Sequence, residues 1–335
     1  MTEEAVPSPH RRRPRYAGKY PRQFEHKYKE RDPSRYAETI EKVLASGKTP
    51  AGTHRPIMVG EILEVLDPKP GEIAVDCTLG YGGHARELLK RVLPGGRLIG
   101  LDVDPIELPK TVARLAGDGF VAHRSNFAGL PKVLAAEQLT GVDVILADLG
   151  VSSMQLDDPG RGFSVKWDGP LDMRMNPGRG QPAAALLQKI SADKLAGLFQ
   201  ENADEPHAQL LGDVLAGQAF GSTNALAHAV RRTLPGGVSD EEVENTVRRV
   251  FQALRIAVNE EFSALETFLR VLPACLNPGG RVAILTFHSG EDRRVKKAFA
   301  AGAYSAFAEE VIRPSPQERH DNPRSASAKL RWARK

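Results

Sequence analysis

The chain has 335 residues, 41% of them hydrophobic and 26% charged, a balance that excludes a wholly disordered chain, a collagen-like repeat or a disulfide scaffold and leaves room for one large or two modest domains. No apolar run reaches the ~18 residues of a membrane span, and the arginine-rich N-terminus is followed by no apolar signal region, so no membrane partner and a cytoplasmic location are expected. The net charge of +4 conceals an uneven distribution: residues 1–53 hold 12 Lys and Arg against 7 Asp and Glu, residues 313–335 hold 7 against 2, and the segment between holds 27 against 33.

Basic ends on an acidic body suggest a polyanion partner held by the termini. In the first arm, residues 1–53, Tyr16, Tyr20, Phe24, Tyr28 and Tyr36 stand among the cations. Aromatic rings stack on bases while Lys and Arg neutralise phosphates, which is the chemistry of single-stranded RNA contacts. From residue 72 short strand-like runs alternate with helical ones, the pattern of a parallel sheet with crossover helices. Strands are expected at 73–77, 97–101, 120–123, 142–149 and 281–287, with helices at 83–93, 105–116 and 130–138. The alternation stops from about residue 154 to 244, where alanine- and leucine-rich stretches (183–200, 205–217, 223–233) carry helical spacing. This pattern predicts an α/β protein with an inserted all-helical domain: arm 1–53, sheet domain 54–153 and 245–335, insert 154–244. One long helix is expected over 241–272, with a polar line of Arg248, Gln252, Arg255 and Asn259 beside its apolar stripe. Cys77 and Cys275 sit in apolar runs without metal-ligand spacing, so reduced buried thiols and no metal site are expected.

Asp76-Cys77-Thr78-Leu79-Gly80-Tyr81-Gly82-Gly83-His84 is a glycine-rich turn that opens a helix. Alone it also fits a relaxed dinucleotide fingerprint, with Asp102 placed to read an NAD ribose. Charge separates the alternatives, because Asp76, Asp102 and Asp148 all fall at the carboxyl ends of expected strands. Three carboxylates repel a pyrophosphate and suit a cationic ligand bearing ribose hydroxyls, such as S-adenosyl-L-methionine with its sulfonium and ammonium groups.

Asp148-Leu149-Gly150-Val151-Ser152-Ser153 ends the fourth strand, Arg161-Gly162-Phe163-Ser164 and Leu171-Asp172-Met173-Arg174 follow it, and Phe287-His288-Ser289-Gly290-Glu291-Asp292-Arg293 ends the strand from residue 281. Together with Phe251-Gln252-Ala253-Leu254-Arg255-Ile256-x-Val258-Asn259 and Asn322-Pro323-Arg324-Ser325, and in this order, these motifs resemble the RsmH (MraW) family over about residues 54–334. The resemblance implies a Rossmann-like S-adenosylmethionine-dependent methyltransferase sheet. It implies methylation of the exocyclic amine N4 of a cytidine in the decoding centre of 16S rRNA in the small ribosomal subunit. It also implies cofactor contacts from Gly82, Gly83, His84, Asp102, Phe127, Asp148 and Gln155. Asp148, Ser152, Phe287 and His288 are the candidate catalytic residues. Arg161, Arg174, Arg255, Asn259 and Arg324 are the candidate RNA contacts. The chain departs from the family at Gly290, where Leu is usual, at residues 201–205, where Tyr-Gly-Glu-Glu is usual, and in its arm, which has no counterpart in a typical member. A catalytically silent RNA-binding ribosome-assembly factor on the same fold is the alternative reading, and the oligomeric state, a homodimer included, is left open.

Deleting residues 1–50 is expected to leave cofactor affinity unchanged and weaken RNA binding. Titration at several salt concentrations checks this: every phosphate that the truncated chain no longer neutralises lowers the slope of log K against log salt by about 0.7 for a single strand.

Overall fold

The structure is a computed structural model and describes residues 56–302 and 304–335; the basic arm and the RNA contacts expected of it lie outside those residues. Strands β1 (Ile73–Asp76), β2 (Arg97–Asp102), β3 (Phe120–Arg124), β4 (Val142–Asp148), β5 (Leu276–Thr286), β6 (Ala306–Phe307) and β7 (Lys329–Arg334) form one sheet in the order β3-β2-β1-β4-β5-β7-β6. The first five pair in parallel, whereas β7 runs antiparallel to β5 and β6 antiparallel to β7. The parallel strands are apolar at nearly every position because both faces are covered. Val75, Ile99, Ile145, Val282 and Ile284 enter one core and Ala74, Leu98, Val144, Ala283 and Leu285 the other, the two-residue alternation of a pleated strand.

Strand order reverses between β1 and β4, and at such a switch point the flanking connections leave to opposite faces and open a crevice beyond the carboxyl ends. The β1–β4 register, Val75 on Ile145 and Asp76 on Leu146, sets the two strand ends side by side there. Helices α1 (Val59–Leu66), α2 (Gly83–Val92), α3 (Leu108–Leu115) and α4 (Leu130–Ala136) accompany this half of the sheet. The two strands after residue 300 and α1 were not expected from the sequence: β6 has two residues, and β7 carries a buried arginine, Arg331, which Asp292 holds.

Helices α5 (Ser153–Asp157), α6 (Ala183–Lys189), α7 (Ala192–Ala203), α8 (Ala208–Leu215) and α9 (Thr223–Thr233) follow β4 without an intervening strand. They share a separate core of Leu187, Leu195, Phe199, Leu211, Leu226 and Val230, which is completed by Val247, Val250, Phe251 and Leu254. The single helix expected over 183–200 is two, because Ile190 and Ser191 are extended, so that Leu187 and Phe199 reach the same core.

The long helix expected over 241–272 is likewise two, α10 (Asp240–Asn259) and α11 (Glu261–Cys275). Glu260 takes φ 52° between them, with its N–H on the carbonyls of Ala257 and Ile256. The break follows from the two jobs of the stripe: Val247, Phe251 and Leu254 pack in the helical block, whereas Leu265, Leu269 and Leu272 pack beneath the sheet. Helices α12 (Ser289–Ala300) and α13 (Pro316–Asp321) complete the chain. Cys77 and Cys275 are free and buried.

Two glycine substitutions should move stability in opposite directions. Gly162 has φ 70°, and a Cβ there would collide with the Pro170 carbonyl, so Gly162→Ala is expected to cost more than about 1 kcal/mol. Gly197 lies inside α7 with open space around its missing Cβ, so Gly197→Ala is expected to add about 0.5–1 kcal/mol. Denaturant midpoints of the two variants check both signs.

Candidate active site

The crevice begins with the turn after β1. Thr78 Oγ1 accepts the Asp148 N–H at 2.6 Å and the Thr78 N–H reaches Asp76 Oδ1 at 3.1 Å, which ties the ends of β1 and β4 together. Gly82 has φ 74°, and a Cβ on it would come within 2.7 Å of Leu115 Cδ1, so the turn rests directly on α3. Gly82 is also the N-cap of α2 and supplies no side-chain cap. The first amides of α2 are therefore open to an anion. At the end of β2, Asp102 Oδ2 accepts the Gly80 N–H at 2.7 Å and Oδ1 accepts the Asp104 N–H at 2.8 Å. Each oxygen keeps a lone pair for a hydroxyl donor. Phe127 opens the turn after β3, its ring 5.3 Å from that of Phe268.

This donor set fits S-adenosylmethionine: a helix N-terminus for a carboxylate, a carboxylate for a ribose diol, an aromatic ring for a base and further carboxylates for cationic groups. Burial pushes Asp76 up to about 6 and Asp148 up to about 7, with Glu291 adding to the second. Burial also raises Asp102 against the pull of the Asp104 and Gly80 amides. His84 is lowered by burial, although Asp76 favours its charge. Its Nε2 lies 2.9 Å from the Ile57 carbonyl, which calls for a proton on that nitrogen and turns the lone pair of Nδ1 toward Asp148 Oδ2 at 3.6 Å.

On the acceptor side Ser152 caps α5. Its Oγ accepts the Gln155 N–H, and Gln155 Oε1 accepts the Ser152 N–H at 2.9 Å. The Gln155 amide is thus engaged with the chain, its Nε2 donating to Asp104 Oδ2 at 3.0 Å. The Phe287 ring lies against Gly150, where a Cβ would stand 3.9 Å from Cδ2. The Phe287 N–H donates to Glu291 Oε2 at 2.8 Å. Burial drives Glu291 up, yet His288, Arg255 and that amide together bring it below its ordinary value. His288 packs on Phe262 with ring centroids 5.8 Å apart and has Nε2 3.2 Å from Glu291 Oε1. Gly290 is explained by the same packing, since a Cβ there would come within 2.7 Å of Phe262 Cζ.

The five candidate RNA contacts all have partners within the chain. Arg255 is bonded bidentately to Glu261, both contacts at 2.8 Å. Asn259 accepts the Met175 N–H and donates to the carbonyls of Met173 and Arg255. Arg161 is buried against Asp104 and the carbonyls of Arg174 and Met175. Asn259 thus holds the loop 158–176 to α10, Arg161 ties the same loop to Asp104, and Arg255 joins α10 to α11. Arg174 and Arg324 are 20% and 34% exposed but are tied to Asp172 and Asp157, so a phosphate would have to compete with those carboxylates. Sequence reasoning also passed over Asp104 and Glu291. The first stands two residues beyond Asp102 in Asp102-Val103-Asp104 and the second inside a motif already singled out, so the missing signal was burial. Among the described residues no cluster of His, Cys, Asp and Glu could hold a metal ion, and no helix is long and apolar enough to cross a membrane.

The sequence profile of the MraW methylase family matches residues 51–335. The ribosomal RNA small subunit methyltransferase H 1 of Agathobacter rectalis is 48% identical, the alignment covering 99% of each chain. The protein of the same name from Lachnoclostridium phytofermentans is 49% identical over 97% of this chain and 93% of its own. The ribosomal RNA small subunit methyltransferase H of Anaeromyxobacter sp. is 42% identical over 97% of its own length but 84% of this chain. Residues 54–335 alone amount to that 84%, so an alignment reaching 99% must include the arm. The arm therefore has a counterpart in some relatives, beside others whose alignments leave out as many residues as the arm holds.

Arg255→Lys should cost about 1.5–3 kcal/mol, one charge-assisted hydrogen bond, because an ammonium cannot reproduce the two-pronged contact with Glu261. Thermal melts alongside methyl-transfer assays on the folded fraction check this, with the deficit expected in the melt.

Proposed function

The chain belongs to the MraW methylase family, and we propose that it transfers a methyl group to the exocyclic amine N4 of a cytidine in the small-subunit ribosomal RNA. The observation that carries the reading is the placement of Asp76, Asp102 and Asp148 at the ends of three adjacent strands around an uncapped helix N-terminus. The cofactor is S-adenosylmethionine, which supplies an electrophilic methyl group on a cationic sulfur.

Asp102 holds the ribose hydroxyls, the first turn of α2 takes the carboxylate, and Phe127 lies beside the adenine. Asp76 and Asp148 supply the negative charge that favours the cationic end. The cytosine amine is a weak nucleophile because its lone pair is delocalised into the ring. A hydrogen bond from the amine N–H to Asp148 would localise that lone pair along the line of attack, and the same carboxylate would accept the proton as the methyl passes to nitrogen and the sulfonium leaves as a neutral thioether. Phe287, beside Gly150, is the side chain available to stack on the base. Ser152 caps α5 through its oxygen and shares a side-chain hydrogen bond with the Tyr81 hydroxyl, which sets its orientation at the acceptor side. His288, held by Phe262 and Glu291, backs Phe287 from the next position. A base in structured RNA must leave its stack to reach a crevice of this kind.

Comparing nucleosides of small-subunit rRNA from cells with and without this gene by mass spectrometry tests the reading: loss of one N4-methylcytidine is expected, and an unchanged profile overturns it. Asp148→Asn is expected to slow transfer by about 10²–10⁴. It should also remove a rise of kcat/KM with pH centred near 7, the value to which Asp148 is raised.

A linked pH effect concerns binding. Folded-state values of about 6 and 7 for Asp76 and Asp148 lie above the ordinary carboxylate value, so their contribution to stability is complete below about pH 4 and is lost as pH rises through the folded-state values. A cation in the crevice favours the ionised forms and expels protons. S-adenosylmethionine affinity should therefore rise between about pH 5 and 8, by up to about tenfold per pH unit for each proton released. Calorimetry in buffers of different ionisation enthalpy measures those protons, and S-adenosylhomocysteine, lacking the sulfonium charge, should release fewer.

A further inference from the structure

We propose that Asp104 and Arg161 form a positioning pair that makes cofactor binding and RNA binding interdependent, an inference that rests on the function proposed above. Asp104 is 2% exposed, yet its carboxylate serves three segments of chain. Its Oδ1 accepts the Ile106 N–H at 2.9 Å, which shapes the turn that follows β2. Its Oδ2 accepts Gln155 Nε2 at 3.0 Å and Arg161 Nη1 at 2.8 Å. Its backbone N–H is one of the two amides that hold Asp102.

Each partner leads to the acceptor side. Gln155 completes the cap of α5 with Ser152, four residues beyond Asp148. Arg161 continues through Nη2 to the carbonyls of Met175, at 2.7 Å, and Arg174, at 3.2 Å. Its buried Nε has no hydrogen-bond partner, so Asp104 and those two carbonyls supply the guanidinium's hydrogen bonds, with the Phe163 ring 5.8 Å from its centre. The Met175 N–H then donates to Asn259 at the end of α10. One continuous line of hydrogen bonds thus runs from Asp102 to the loop 158–176 and the end of α10.

A buried ion pair of this kind contributes little net stability compared with apolar packing. What it supplies is orientation, because a planar guanidinium held by Asp104 on one nitrogen and by two carbonyls on the other has one geometry. A ribose engaged on Asp102 fixes the 102–104 turn, and with it the carboxylate from which α5 and the loop 158–176 are hung. RNA seated on that loop fixes the same carboxylate from the other end. Two ligands that order one shared element strengthen each other's binding, and by linkage the factor is the same in both directions.

The experiment measures affinity of the full chain for small-subunit rRNA from cells lacking this gene, with and without saturating S-adenosylhomocysteine. The wild-type ratio is expected to be about fivefold or more. Asp104→Asn and Arg161→Met should each bring it toward one, with the double variant no lower than either single. Arg161→Lys should keep part of the ratio, since an ammonium still reaches Asp104 but cannot span to the two carbonyls. Gln155→Ala cuts the second branch without stranding a buried charge and should lower the ratio even if the charge variants fold poorly, which melting curves reveal. A wild-type ratio of one, or variants that melt lower while keeping the wild-type ratio, overturns the proposal. If the wild-type protein transfers no methyl group to this RNA, the functional reading fails and the pair's role falls with it; if transfer occurs without coupling, only the present inference fails.

Discussion

Carboxylates withdrawn from water at the ends of adjacent parallel strands are the constraint on which the rest of this molecule depends. The reversal of strand order between β1 and β4 creates the crevice, and Asp76, Asp102 and Asp148 are placed at it by the strands themselves. Desolvation makes their ionised forms costly, which is why Asp76 and Asp148 are raised to about 6 and 7. The backbone amides of Thr78, Gly80 and Asp104 relieve part of that cost, and a cationic ligand relieves more. The feature that burdens the fold is thus one that a cationic ligand would relieve, and it holds Asp148 near neutrality.

The arginines show the complementary principle. Arg161, Arg255 and Arg331 are enclosed, and each meets a carboxylate with further acceptors or two-pronged geometry. A guanidinium that is always charged is tolerated in the interior only under those conditions. Positive charge unmatched by acidic neighbours in sequence is concentrated at the two ends of the chain, and at the C-terminal one Arg324 and Arg331 are themselves claimed by Asp157 and Asp292.

The helical block has its own core, but α10 also borders the sheet domain through the loop 158–176. Breaking the helix at Glu260 lets one amphipathic stripe serve two cores that face in different directions. Asn259, the last residue before the break, spends its amide on Met173, Met175 and Arg255, and so fixes where the loop sits. Met173 itself is fully buried with φ 63°, a left-handed conformation that this web of contacts holds in place.

The sequence by itself determined the parallel sheet, its five main strands, the glycine turn with its flanking aspartates, and the helical character of the segment between β4 and α10. These are local properties: apolar periodicity, turn chemistry and residues one strand end apart are written in consecutive positions. Only the tertiary structure decided what the polar line on the long helix does, because Arg255 is claimed by a glutamate six residues on, past a break that the apolar spacing does not reveal, and Arg161 by an aspartate 57 residues back in the chain. The same holds for Gly290, whose missing side chain makes sense only beside the Phe262 ring, and for Asp104, which reads as one more acidic residue until burial brings three loops onto it. Periodicity specifies which face of an element is buried, but the partner of a buried charge is fixed by the folding of distant segments, and spacing carries no record of it.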